Sequence, residues 1–216
     1  MGRYVCTEGF VLPKILDGHK AKFSIKDSYG NKCLFVFADT PLAKRLSGLT
    51  QIMDDLTHAK ELAQLINTLE HGELTYSLWM SAVVTYGKVF AGAKGRKIKL
   101  ENKHVVEVNP EALSFHKDLL ELRNEFFAHA GDNPYELSNV AVILSPDLDN
   151  KAVIGVNHLN IKKRSVTDEF IKPFCHLCSE LYKVVEAMGK PIHEKVLNEY
   201  ENKDINELYD LANKQT

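Results

Sequence analysis

The chain has 216 residues, of which 44% are hydrophobic and 26% charged, with a formal net charge of −2. That is globular material, long enough for one sizeable core or one core with a small appendage. The charge balance argues against a polyanion-binding protein in bulk, so any nucleic-acid site has to be a local patch.

The four cysteines, Cys6, Cys33, Cys175 and Cys178, are too few to staple a chain of this length. No apolar run approaches the roughly 18 residues of a membrane span. The opening Met1-Gly2-Arg3-Tyr4-Val5-Cys6 has no apolar signal region and lacks the Ser or Thr of a myristoylation site. The expectation is a cytoplasmic protein with reduced thiols and no membrane partner.

Residues 1–40 read as strand material. Phe23 and Ile25 alternate with polar neighbours, Asp27-Ser28-Tyr29-Gly30-Asn31 is turn chemistry, and Cys33-Leu34-Phe35-Val36-Phe37-Ala38 is a second strand, which predicts a hairpin. Asp39-Thr40-Pro41 then reads as a helix N-cap followed by proline in the first turn.

From 42 to 131 the pattern is helical. Ile52, Met53, Leu56, Ala59, Leu62, Leu65 and Ile66 recur at three- and four-residue steps, as do Leu74, Leu78, Trp79, Ala82, Val83, Tyr86, Val89 and Phe90. Gly72 separates the two sets, which predicts an antiparallel helical hairpin. Residues 92–109 read as a glycine- and lysine-containing loop, and a third helix runs from Pro110 to about His129, with Gly131 as its C-cap.

Residues 132–165 switch to strand-like runs at 140–144 and 152–156, flanking Pro146-Asp147-Leu148-Asp149-Asn150, a second hairpin. Helical spacing returns at 167–188, Pro191 is expected to break the chain, and 192–214 reads as one or two charged, weakly amphipathic helices. The predicted fold class is mainly α (α+β): an antiparallel bundle of four or more helices with an N-terminal and an inserted β-hairpin. Three regions follow, 1–40, 41–189 and 190–216.

On a helical wheel of about 100° per residue, residues 112–130 place two polar side chains well inside the apolar half, His116 and Arg123, with His129 at its edge. An arginine is almost never fully buried without a partner. One reading is structural: an ion pair with a carboxylate of a neighbouring helix, such as Glu61 or Glu73, and a satisfied interior histidine at 116. The other is chemical. Arginine offers a fixed positive fork to phosphate, histidine a proton donor and acceptor near neutral pH, and Asn124 a neutral donor and acceptor. Attack of a ribose 2′-hydroxyl on its phosphate needs a base, an acid and charge stabilisation, and no metal.

Arg123-Asn124 followed by His129 resembles the Arg-polar-spacer-His motif of the HEPN superfamily. The wider run from Asp118 to Gly131, and the preceding helix from Leu78 to Phe90 with its glycine/basic loop, resemble bacterial members more closely than the bare motif. The resemblance covers roughly residues 50–131 and extends to 189 with the 132–165 hairpin as an insertion; it leaves out 1–40 and the tail. It implies an all-α bundle of four or five helices acting as a metal-independent endoribonuclease in toxin–antitoxin, antiviral-defence or RNA-processing roles, or a member without catalysis that binds RNA, a nucleotide or a protein. It implies Arg123, His129 and Asn124 as site residues, RNA as partner, a homodimer in which the motifs of two protomers meet, a possible protein partner or antitoxin, and no cofactor. On an ideal helix Arg123 and His129 stand about 120° apart, so convergence needs a distorted last turn, a long reach by Arg123, or a second protomer.

The loop 88–104 concentrates Lys88, Lys94, Arg96, Lys97, Lys99 and Lys103 against Glu101 alone. Lys94, Arg96, Lys97 and Lys99 are candidate contacts to an RNA backbone, although a basic run also serves simply as a solvated loop. Cys175-His176-Leu177-Cys178 has the spacing of half a zinc site. No second ligand pair is evident, so no metal is expected and core or interface cysteines are the better reading.

Overall fold

The computed structural model describes residues 5–6, 25–70, 72–92, 95–127, 136–162 and 166–215. The chain is mainly helical and divides into two compact units, Lys44–Ile192 and Met1–Ala43 with His193–Thr216. Helices α1 (Pro41–Ile66) and α5 (Asp168–Glu201) each run through a division point.

In the smaller unit, β1 (Val5–Cys6), β2 (Ile25–Lys26) and β3 (Lys32–Cys33) form an antiparallel sheet in the order β1-β2-β3, with Ile25 opposite Cys33. The turn at 27–31 is where its chemistry put it. The Asp27 carboxylate accepts the backbone N–H groups of Tyr29 (2.9 Å) and Asn31 (2.8 Å), and Gly30 takes a φ of 85° that side chains resist. The hairpin is shorter than the alternation suggested: pairing ends at Cys33, and 34–39 carries no ladder among the described residues. Residues 22–24 of the expected first strand lie outside them.

The larger unit is the helical body, and α1 enters it at Lys44 after starting in the smaller unit. Thr40 Oγ1 accepts the Ala43 N–H (3.2 Å) and Pro41 opens α1, the cap-and-proline start read from the sequence. Leu49, Ile52, Leu56, Ala59, Ala63 and Ile66 form the buried stripe of α1. Helix α2 (Glu73–Lys88) buries Trp79, Ala82, Val83 and Tyr86, and α5 buries Ile171, Phe174, Leu177, Cys178, Leu181 and Val185. Rings lock these helices together: Phe174 lies 5.1 Å from Trp79 and 5.5 Å from Tyr86 between centroids.

Three local expectations need correction. Residues 92–109 are not all loop: α3 (Asn102–Val108) buries His104 and Val105, and the Glu101 N–H is bound by His104 Nδ1 at 2.9 Å. The third long helix is α-helical only over α4 (Ala112–Glu121), and Leu122–Phe127 is π-helical. Pro191 does not end its helix. A mid-helix proline costs about 3 kcal/mol, but fully burying one large aliphatic side chain contributes about 1.5–3 kcal/mol, and α5 buries Val185 and Ile192 on either side of it.

The inserted hairpin is β4 (Glu136–Leu144) and β5 (Val153–Lys162), paired antiparallel from Glu136 opposite Lys162 to Leu144 opposite Val153. The tail after α5 is α6 (Ile205–Gln215). Among the described residues no helix is long and apolar enough to cross a membrane.

Gly48 of α1 is pressed against the Arg96 carbonyl and the Ile98 side chain, and any Cβ there would collide with that backbone oxygen. Gly→Ala inside a helix normally gains about 0.8–1 kcal/mol, whereas forcing an atom into a packed site costs about 1–3 kcal/mol. Because the obstructing atom is backbone, Gly48→Ala is expected to lower the unfolding free energy in urea melts. A neutral or stabilised variant would contradict this packing.

Candidate functional site

Helix α4 is seated on α2 by a buried polar contact. His116 is fully buried; the Tyr86 hydroxyl donates to its Nδ1 at 2.7 Å and its Nε2–H donates to Asn102 Oδ1 at 3.2 Å. Asn102 Oδ1 only accepts, so Nε2 carries a proton, and in the neutral ring Nδ1 is left to accept from Tyr86. Phe90 covers the ring at 4.3 Å between centroids. Burial pushes the imidazole from 6.5 down to about 4, with Lys117 adding repulsion, and burial likewise raises the Tyr86 phenol well above its ordinary range. His116 is therefore a satisfied core histidine, the structural alternative given for it above.

Two turns on, Arg123 behaves differently. Its side chain lies along α2 at Gly87, where a Cβ would stand 2.6 Å from Arg123 Cδ. Nη1 donates to Asn124 Oδ1 at 2.7 Å. Nε is buried and without a hydrogen-bond partner, and no carboxylate ion-pairs with Arg123 among the described residues, Glu61 and Glu73 included.

Arg123 and Asn124 both lie in the π-helical segment. Hydrogen bonds from residue i to i+5 widen the turn, and such segments are frequent at functional sites. The α-helical wheel that put Arg123 and His129 about 120° apart therefore does not hold beyond Glu121. The segment is pinned to α2 by Phe127 against Tyr76, edge to face at 6.1 Å between centroids. His129 and the Gly131 cap lie outside the described residues.

The basic loop divides. Arg96, expected to face RNA, is turned inward: its Nη2 binds Asp55 Oδ2, with only 11% of the arginine and 14% of the aspartate side chain exposed. Lys88 Nζ holds the other oxygen, Asp55 Oδ1, at 2.8 Å. Asp55 sits on the margin of the α1 stripe, and no local pattern marks it as the partner of Arg96, 41 residues away. Lys97 and Lys99 are exposed, Lys97 at a φ of 61°, and Lys94 lies outside the described residues. The loop is tied to the same end of α2 that carries Gly87, through Leu100 N–H to the Val89 carbonyl at 2.8 Å.

Cys178 is buried and Cys175 half-buried on α5, with the Cys175 thiol directed at the Lys60 carbonyl of α1 at 3.9 Å. Burial raises both thiols, Cys178 far above the ordinary range. These are features of packed core cysteines, not of activated thiolates. Among the described residues no three His, Cys, Asp or Glu cluster to hold a metal.

The seat of Arg123 at Gly87 escaped the sequence reading. Its trace was a glycine inside a helical pattern, which marks either a weak point or a close approach. No family model, curated protein or solved structure matches the chain.

His116 titrates differently in the folded and unfolded chain, so it couples stability to pH. Its folded pKa is depressed, so its contribution is complete above about 6.5 and is lost as pH falls toward about 4. At about 1.4 kcal/mol per pH unit, the His116 share between pH 7 and pH 5 is about 2 kcal/mol. Urea melts at the two pH values should show this drop in the native chain and a smaller one in His116→Gln. An equal drop in both would assign it elsewhere.

Proposed function

We propose that the chain is a metal-independent HEPN-type endoribonuclease that cleaves RNA through Arg123 and His129, in a defence or toxin-like role. The observation that supports this reading is the state of Arg123. A structural arginine on a buried stripe needs a carboxylate, and Arg96 in the same unit has one. Arg123 instead packs on Gly87, keeps a buried N–H without an acceptor and is held by the neutral Asn124. A phosphate is the kind of acceptor that such a fork receives.

In the proposed reaction His129 takes the proton of a ribose 2′-hydroxyl or returns one to the leaving 5′-oxygen. The 2′-oxygen bonds to phosphorus as the 5′-oxygen departs, leaving a 2′,3′-cyclic phosphate and a 5′-hydroxyl. Arg123 stabilises the charge on the non-bridging oxygens. Asn124 acts as a positioning residue, fixing the guanidinium through Nη1. A second protomer supplies the facing motif, and Lys97 and Lys99 meet the RNA backbone.

The test is cleavage of a labelled single-stranded RNA with a chelator present. The native chain should yield cyclic-phosphate ends. Arg123→Ala and His129→Ala should each lose about a hundredfold or more in rate. Equal trace activity in all three would sink the assignment, and salt-sensitive binding without cleavage would replace it with a non-catalytic RNA-binding module. Gly87→Ala examines the seat itself. Its Cβ has to push Arg123 aside, so activity should fall toward that of Arg123→Ala while the thermal midpoint stays near the native value; unchanged activity would show that the seat is not used.

A further inference from the structure

The β4–β5 hairpin leaves its apolar side chains in water. Val140, Val142, Leu144, Val153 and Val156 are between 58% and 67% exposed. By the register they share one face: Val142 stands opposite Val156 and Leu144 opposite Val153. A two-stranded ribbon alone in water is marginal, and among the described residues neither strand has a second partner. The edges also lack the usual protection. No Lys, Arg, Asp or Glu occurs from Leu137 to Leu144 or from Val153 to Ile161, where exposed edges normally carry charge or proline.

The two edges differ. Between Ile143 opposite Gly155 and Leu144 opposite Val153, β5 carries one extra residue, Ile154. That bulge bends β5 and interrupts its outer hydrogen-bonding row. Strand β4 is uninterrupted, and its run Val140-Ala141-Val142-Ile143-Leu144 is self-complementary when laid antiparallel on itself. Centred on Val142, it sets Val142 against Val142, Val140 against Leu144 and Ala141 against Ile143, every pair aliphatic and both faces in phase. A two-fold contact requires such self-complementarity. An uncharged strand gives no attraction to RNA, whose binding is dominated by phosphate charge, nor to a charged protein surface.

From this we infer that β4 is a self-association edge, pairing antiparallel with β4 of a second copy about Val142 to make a continuous four-stranded sheet. The inference does not rest on the Arg123 reading, and the contact is separate from any meeting of the two motifs. Its size sets its strength. A standard interface takes about 20–30 residues from each partner; one edge and one face of this hairpin supply about ten, so the dimer should be weak, with a dissociation constant in the micromolar range or above.

The experiment is sedimentation velocity on the full chain from about 1 to 200 µM, a range chosen for a weak contact of this size. The native chain should show a reversible monomer–dimer equilibrium, insensitive to added salt because no charges meet. Val142→Lys puts two like charges opposite each other at the two-fold and should weaken it roughly tenfold or more, with the circular dichroism spectrum and thermal midpoint kept. A second variant reads the register directly. In Val142→Cys the two thiols face each other across the two-fold and should form a covalent dimer under mild oxidation, whereas Ala141→Cys, opposite Ile143, and the native chain with its own four cysteines should do so less. A chain that stays monomeric throughout, association unchanged by Val142→Lys, or cross-linking equal in the two cysteine variants would each overturn the proposal. None of these readouts depends on RNA cleavage, so failure here and failure of the nuclease reading are separable.

Discussion

The geometry around Arg123 depends on one buried hydrogen bond, from the Tyr86 hydroxyl to His116 Nδ1. It fixes the rotation of α4 on α2, because a fully buried imidazole turned away from Tyr86 and Asn102 would leave polar atoms unsatisfied at about 1–3 kcal/mol each. With His116 committed to that contact, the chain that continues into the π-helical segment brings Arg123 against α2 at Gly87. A side chain at 87 would close that space, and a different rotation of α4 would place the guanidinium in solvent. The aromatic cover of Phe90 and the Phe174 packing on Tyr86 keep water from competing for the bond, which is why a neutral histidine serves where a charged one would not.

The π-helical segment begins just where α4 leaves this anchored region. Up to Glu121 the helix follows the α pattern and buries Leu119 beside His116; from Leu122 the hydrogen bonding loosens by one residue. A π segment exists only where tertiary contacts over-determine it. Here the contacts are Arg123 on Gly87 at one end and Phe127 on Tyr76 at the other. The distortion thus lies between two side chains that α2 holds.

How much of this was legible beforehand follows from what each signal encodes. The buried stripes of α1, α2 and α5 were readable because apolar period alone decides them, and the Asp27–Asn31 turn and the Thr40-Pro41 start were readable because their chemistry is local. His116 and Arg123 stood out as polar residues on an apolar arc. The outcomes that were missed are decided across distance. Asp55 and Arg96 pair over 41 residues, Gly87 matters only for what crosses it, and Pro191 is carried through by the packing on either side of it. Helix α3 has too few residues to show a period, yet it supplies Asn102 to the His116 contact. The wheel itself failed past Glu121, because it assumed a pitch that tertiary contacts changed.

The contrast between the two arginines bears on why Arg123 and not the basic loop is the centre of the candidate site. Both are partly buried beside α2, so desolvation acts on both. Arg96 meets a carboxylate that is itself shared with Lys88, and such a pair is hard to open: removing one partner of a buried ion pair costs about 3–5 kcal/mol. Its charge is consumed in closing the loop onto α1 and α2. Among the described residues Arg123 meets an amide oxygen on one nitrogen, and its Nε has no acceptor. A group left in that condition lowers the stability of the free chain, since a buried donor without an acceptor is destabilising. An anion arriving there would recover that deficit on binding, whereas at Arg96 it would first have to displace Asp55. The same side chain thus holds the loop in one place and, in the other, meets no carboxylate among the described residues.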